Sequence, residues 1–144
     1  MAQRSYERLR IRRAKRTDIP ALRLLAAPAG AELVSRAETR YWRRLASDPR
    51  LDFYIAEQAG AVQGMLLVCY VRTLGSPGWQ ALLDLIVRPA AAPDIVQALL
   101  GFAKARARRR GCQQLLVQSD RADRQLLTQN GFAATGPLFA CSLD

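Results

Sequence analysis

The chain has 144 residues, half of them hydrophobic, with 22 basic against 12 acidic side chains and a formal net charge of +10. That length fits one domain, 1–144, with enough apolar residues for a full core. No apolar run approaches the ~18 residues of a membrane span, so no membrane partner is expected. The segment Met1-Ala2-Gln3-Arg4-Ser5-Tyr6-Glu7-Arg8 lacks the apolar stretch of a secretory signal; a cytoplasmic protein is expected, with residues 1–8 flexible. Histidine is absent, which excludes Ser-His-Asp and Cys-His nucleophile systems and every histidine-based metal site. Cys69, Cys112 and Cys141 are odd in number and form no Cys-x-x-Cys pair, which argues against a disulfide frame or a zinc site. Each lies in an apolar, strand-like pattern and reads as a buried thiol. No metal is expected. Acid–base chemistry falls to carboxylates, Tyr, Cys, Lys or a bound water.

Arginine dominates the positive charge, since only Lys15 and Lys104 are lysine. It clusters from Arg4 to Arg16 and again at Lys104, Arg106, Arg108, Arg109 and Arg110. Such a balance favours an anionic partner, whether nucleic acid, acidic protein or polyphosphate, and is equally what a solvated basic face would show. No aromatic platform is interleaved with the arginines, which argues against nucleic acid.

In chain order, Leu9-Arg10-Ile11-Arg12-Arg13-Ala14 alternates as a strand. Thr17-Asp18 then opens a helix with Ile19, Leu22, Leu25 and Ala26 at helical spacing, broken by Pro28-Ala29-Gly30. A second helix is predicted from about Ser35 to Ser47, with Val34, Ala37, Tyr41, Trp42 and Leu45 on one stripe. Phe53-Tyr54-Ile55-Ala56-Glu57, a turn at Gln58-Ala59-Gly60, and Val62 to Thr73 form a hairpin. Gly75-Ser76-Pro77-Gly78 is a turn, and Gln80 to Arg88 returns as a strand antiparallel to the one before. The main helix runs from about Pro93 to Arg110, with Ile95, Val96, Leu99, Leu100, Ala103 and Ala107 as an apolar stripe and Gly111 past its end. Gln114 to Gln118 reads as a strand buried on both faces, Ala122 to Gln129 as a short helix, and Phe132-Ala133 with Leu138 to Leu143 as the last strands. The order predicts an α/β domain with helices on both faces of the sheet.

Five segments in order carry a resemblance: Ile11-Arg12-Arg13-Ala14 to Leu22; Tyr54-Ile55-Ala56-Glu57 through Gly60 to Val62-Gln63-Gly64; Asp84-Leu85-Ile86-Val87-Arg88-Pro89; Ala98-Leu99-Leu100 to Gly111-Cys112; and Leu126-Leu127 to Asn130-Gly131-Phe132. Together, from about residue 9 to the C-terminus, the chain resembles the GNAT N-acetyltransferase superfamily. The resemblance implies a single-domain, mixed but mostly antiparallel sheet and transfer of an acetyl group from acetyl-CoA to an amine, on a small molecule or a protein. It implies a cofactor held in a splay between strands four and five. The pantetheine amides would pair with the backbone of Ile86, Val87 and Arg88. The pyrophosphate would lie on the turn and first helical residues, Ala91, Ala92, Asp94, Ile95 and Val96. Asp120 stands where the family often has an Asn and is carried as a further cofactor-side residue. A carboxylate on strand four serves the family as base, often through water; Asp84 occupies that position, on the face opposite Leu85 and Val87.

The phosphate turn departs from the pattern. The family's Arg/Gln-x-x-Gly-x-Gly/Ala signature falls on Ala91, Asp94 and Val96, none of which fits, and the turn is one residue short. Glycine lets backbone approach a phosphate closely, whereas Pro93 has no N–H to offer and Asp94 repels an anion unless it serves as a helix cap. Arg88 is near enough in sequence to add a charged bond. The family's late-helix Tyr, which can protonate the leaving thiolate, falls on Leu127; Tyr41, Tyr54 and Tyr70 are the candidates to substitute in space, and each reads equally as core or rim packing. The resemblance implies an acceptor side shaped by about Ala26 to Tyr41 and by the β-hairpin loops; Glu32 and Glu38 would attract an amine there, and two carboxylates on a surface are equally ordinary. Three readings follow: an acetyl-CoA-dependent N-acetyltransferase, a GNAT-like binding or regulatory module that has lost the cofactor, and a basic nucleic-acid binder. A homodimer through an edge strand is compatible with each.

Overall fold

A computed structural model describes residues 8–27, 35–118, 123–136 and 141–143. Five strands form one sheet in the order β1-β2-β3-β4-β5: Arg10–Arg13, Asp52–Gln58, Ala61–Thr73, Ser76–Val87 and Cys112–Val117. The first four are antiparallel neighbours, and β5 joins β4 in parallel. The parallel step follows from the connection, because β4 returns to β5 through a crossover helix rather than a tight turn. Four α-helices accompany the sheet: α1 Ile19–Ala26, α2 Arg36–Ser47, α3 Pro93–Arg109 and α4 Arg124–Gln129. Among the described residues no helix is long and apolar enough to cross a membrane, and no group of His, Cys, Asp and Glu could hold a metal ion.

Strand alternation divides the core in two. On one face Phe53, Ile55 and Met65 pack with Ala14 and with Leu22 of α1, edged by Trp42 and Leu45 of α2. On the other, Leu66, Val68, Ala81, Leu83 and Leu85 meet α3 and Leu127 of α4. The six stripe positions of α3, Ile95, Val96, Leu99, Leu100, Ala103 and Ala107, are all buried. Ser35 caps α2, its hydroxyl accepting from Glu38 N–H at 3.0 Å, and Asp123 caps α4. Both caps satisfy amides that have no partner inside their own helix.

Four expectations are corrected. Strand β4 begins at Ser76, so the turn shrinks to Leu74-Gly75; the β3–β4 ladder continues to Thr73↔Ser76 through a bulge, and Gly78 at φ 97° absorbs the bend. Strand β5 is not buried on both faces, because Gln113 and Gln114 are exposed. Residues 132–136 and 141–143 form no strand, and 137–140 lie outside the described residues. Cys141 is exposed rather than a strand-borne buried thiol, while Cys69 and Cys112 are half-buried.

Gly64 on β3 faces Val87 and lies under α3. A Cβ there would stand 2.9 Å from Val87 Cγ1, 3.0 Å from Leu99 Cδ1 and 3.2 Å from the Ile86 carbonyl oxygen. Two of these neighbours, a β-branched side chain and main chain, yield little. Gly64→Ala is therefore expected to lower stability by about 1–3 kcal/mol, readable in urea denaturation as a lower midpoint at unchanged slope.

Candidate functional site

The β4–β5 ladder stops at Leu83↔Val117, while β4 runs on to Val87. Among the described residues, β4 from Asp84 onward has a partner only on the β3 side, and the two parallel strands fork. Arg88 N–H donates to the Gln63 carbonyl at 2.9 Å, which fixes the alternation: Asp84, Ile86 and Arg88 present their main-chain groups to β3. Leu85 and Val87 present theirs to the open side. Of the stretch Ile86, Val87 and Arg88, whose backbone was expected to hold a ligand, only Val87 faces the fork, and Leu85 joins it.

The turn into α3 is built on a bond from Ala91 N–H to the Arg88 carbonyl at 2.9 Å, with Pro89 as its first corner residue. Proline presets the backbone angle that such a corner needs. Ile95 N–H donates to the Ala92 carbonyl at 2.9 Å, and Pro93 occupies the first helical position. Ala90, Ala92 and Asp94 are left as the turn's amides without a main-chain acceptor. Asp94 is not a cap; Ala92 holds that position, and Asp94 stands in the first turn, where its charge complements the helix dipole. The side chains of Ile95 and Val96 face inward and are buried. Arg88 Nε donates to the Val62 carbonyl at 2.6 Å, so that nitrogen is already engaged. Asp120 and Glu32 lie outside the described residues.

Two clefts flank the fork on opposite faces of the sheet. The first, of about 240 Å³, has Phe53, Met65, Leu67, Asp84 and Ile86 on its sheet side. Ala26 of α1 and Tyr41, Trp42 and Leu45 of α2 complete it. Asp84 is the one carboxylate among these residues, and it sits at the first position past the fork. Burial first, then the charges of Asp84 and Asp48, push the neighbouring Cys69 thiol upward, so it stays protonated and poorly nucleophilic at neutral pH. The second cleft, of about 330 Å³, borders Val117 at the end of the paired strands and is walled by α4 through Arg124, Leu127 and Thr128. Among the described residues, Arg124 is the one basic side chain lining either cleft.

The three tyrosines separate. Tyr41 is more than half exposed and lines the first cleft beside Asp84. Tyr54 packs on Phe102 of α3 at 4.6 Å between ring centres, on the other face. Tyr70 donates its hydroxyl to Asp52. Burial first, then that bond, raise the Tyr70 phenol well above its ordinary range.

Asp52 was not visible as special in the sequence. It is fully buried and gathers Arg106 at 3.0 Å, Arg110 at 3.3 Å and Arg13 at 3.9 Å. Burial alone would lift its carboxyl, but the bonds from Arg106 and Tyr70 outweigh that and hold it below the usual range. Arg12 is similarly bound to Asp18 through two 2.8 Å bonds. Lys104 donates to the Asn130 carbonyl and covers the Phe132 ring. Arg12, Arg13, Lys104, Arg106 and Arg110 are thus engaged within the fold, while Arg10, Arg16, Arg108 and Arg109 are exposed.

The architecture has many solved counterparts. A transcriptional regulator from Bacillus halodurans superimposes with a TM-score of 0.82 at 22% identity, covering 94% of this chain and 100% of that one. A predicted acetyltransferase with acetyl-CoA from Clostridium acetobutylicum gives 0.75 at 15% identity, over 94% and 96%. Glucosamine-6-phosphate N-acetyltransferase from Arabidopsis thaliana gives 0.74 at 15% identity, over 96% and 100%. The fold is that of the GNAT acetyltransferases. No family model and no curated protein matches this GNAT-fold chain in sequence. Identities this low establish the shared architecture; the chemistry rests on the site itself.

Proposed function

We propose that the protein is an acetyl-CoA-dependent N-acetyltransferase. The observation that carries this reading is the fork: pairing ends at Leu83↔Val117, the open edge of β4 begins at once, and Asp84 is the first residue beyond. Acetyl-CoA would supply the activated acetyl group. The main-chain groups of Leu85 and Val87 would hold its amide arm, with the Ala90, Ala92 and Asp94 amides and Arg124 left for the phosphates. Three free amides and a helix N-terminus still form an anion site, but a poorer one than a glycine turn, and Asp94 opposes it. Losing two phosphate hydrogen bonds at ~1.5–3 kcal/mol each weakens binding by roughly 10²–10⁴.

Asp84 faces the cleft opposite the α3 side. An ammonium there must lose a proton before its nitrogen can attack a carbonyl, and Asp84 is the group positioned to accept it directly or through one water. Tyr41 shares the cleft and is the hydroxyl available to return a proton to a leaving group.

Acetyl-CoA at millimolar concentration is expected to raise Tm. A ligand at one hundred times its Kd stabilises the native state by about 2.7 kcal/mol, worth several degrees in a domain of this size. Thiol release in the presence of an amine completes the test. No shift with acetyl-CoA or CoA would sink the enzyme reading. A second reading, a binding module of the same fold without cofactor, is favoured by the Ala91 and Ile95 amides already being bonded within the turn, and it predicts that null result.

A further inference from the structure

We infer that the acceptor is a monocationic primary amine carrying an aromatic or branched apolar body of about ten heavy atoms. The inference rests on the acetyltransferase reading for its chemistry but not for its binding test. Among the described residues, the first cleft offers Tyr41, Trp42, Leu45, Leu67 and Ile86 as walls and Asp84 as its one carboxylate. In a chain of net charge +10, no basic residue lines it among the described residues. A phosphorylated amino sugar would leave its phosphate desolvated and unpaired, which is expensive. Among the described residues a polyamine would find one carboxylate for several charges and apolar walls for the rest.

Size gives the second argument. An apolar cavity of about 150 Å³ accommodates benzene, so 240 Å³ takes about ten heavy atoms by the same measure. An aromatic ring between Trp42 and Leu67 with an ammonium on a short arm toward Asp84 meets both the shape and the charge. Trp42 already packs on Phe53 at 6.1 Å, tilted by 33°, the kind of aromatic wall on which a further ring gains beyond its buried area.

Trp42 also provides the readout. The chain has two tryptophans, and Trp79 stacks under Arg72 outside the cleft. In a Trp79→Phe background, phenethylamine is expected to change Trp42 emission saturably without any acetyl-CoA. Neutral 2-phenylethanol, spermidine and glucosamine 6-phosphate should each bind at least tenfold more weakly. Asp84→Asn should weaken phenethylamine about tenfold and leave 2-phenylethanol unchanged. Absence of a saturable signal with phenethylamine, or tighter binding of spermidine or the phosphosugar, would overturn the inference. Phenethylamine binding without an acetyl-CoA shift would overturn the transferase reading and leave the amine site standing. An acetyl-CoA shift with release of thiol only for the other amines would do the reverse.

Discussion

Asp52→Asn is expected to lower stability by about 3–4 kcal/mol, a large part of the 5–15 kcal/mol typical of a domain. Asparagine keeps the shape and still accepts from Tyr70, so the loss isolates the charge. Three guanidinium groups within 4 Å would then lack their counter-ion at a fully buried position. Removing one partner of a buried pair typically costs 3–5 kcal/mol. The lower part of that range applies because Arg106, Arg110 and Arg13 remain 24%, 37% and 41% exposed and can recover some hydration. In thermal denaturation the change corresponds to a Tm drop of roughly 6–16 °C. A drop under 2 °C would mean that the cluster forms without stabilising the fold.

The same carboxyl fixes an acid dependence. Its folded pKa lies below the ordinary carboxylate value, so the unfolded chain binds the proton more readily than the folded one. The stabilisation is complete above the unfolded value near pH 3.9 and is lost as pH falls through the folded value. The stability gap between wild type and Asp52→Asn should therefore be constant above about pH 4 and close as pH falls below it. Asp18, lowered by its bond to Arg12, adds a smaller contribution of the same sign, being partly solvated.

The sheet and its helices were readable because apolar period and turn chemistry agreed along most of the chain. The α3 stripe, the Pro93 start and the Gly111 exit each had a local cause, and all three stand. The errors share one cause, a neglect of partners. An apolar run such as Leu115-Leu116-Val117 looks like a central strand, but its burial depends on whether something lies beyond it, and here β5 has two exposed glutamines. The turn at Gly75-Ser76-Pro77-Gly78 had the right residues, yet ladder bonds with Thr73 extend the strand through most of it.

At the site, the Asp84 assignment to the face opposite Leu85 and Val87 follows from strict alternation and agrees with the two core clusters. What alternation could not give was direction within the sheet. Whether Ile86 or Val87 turns its amide to the fork depends on the ladder with β3, a contact more than twenty residues away in sequence. Asp52 was invisible for the same reason. Its partners Tyr70, Arg106 and Arg110 come from a neighbouring strand and from the far end of α3, and no spacing rule links them.

Asp84→Asn is expected to reduce kcat by 10²–10⁴ with little effect on folding. General-base catalysis is worth about that much, which corresponds to roughly 3–5.5 kcal/mol of barrier. The side chain is exposed on β4, so its isosteric replacement should move stability by no more than about 0.5 kcal/mol. Two roles for the carboxylate are separable. As proton acceptor it acts on kcat. As counter-charge for the ammonium it acts on the amine's dissociation constant, expected to rise about tenfold, or ~1.4 kcal/mol, the strength of an ion pair in a half-solvated cleft. Both effects should appear, the first by single-turnover kinetics and the second by Trp42 emission. Since the proton must leave the ammonium by some route, the variant should recover rate as pH rises toward the amine's own pKa, near 10, while wild type levels off earlier. A kcat within threefold of wild type, with only the dissociation constant altered, would assign proton removal to solvent or to Tyr41 and leave Asp84 as the residue that holds the amine at the fork.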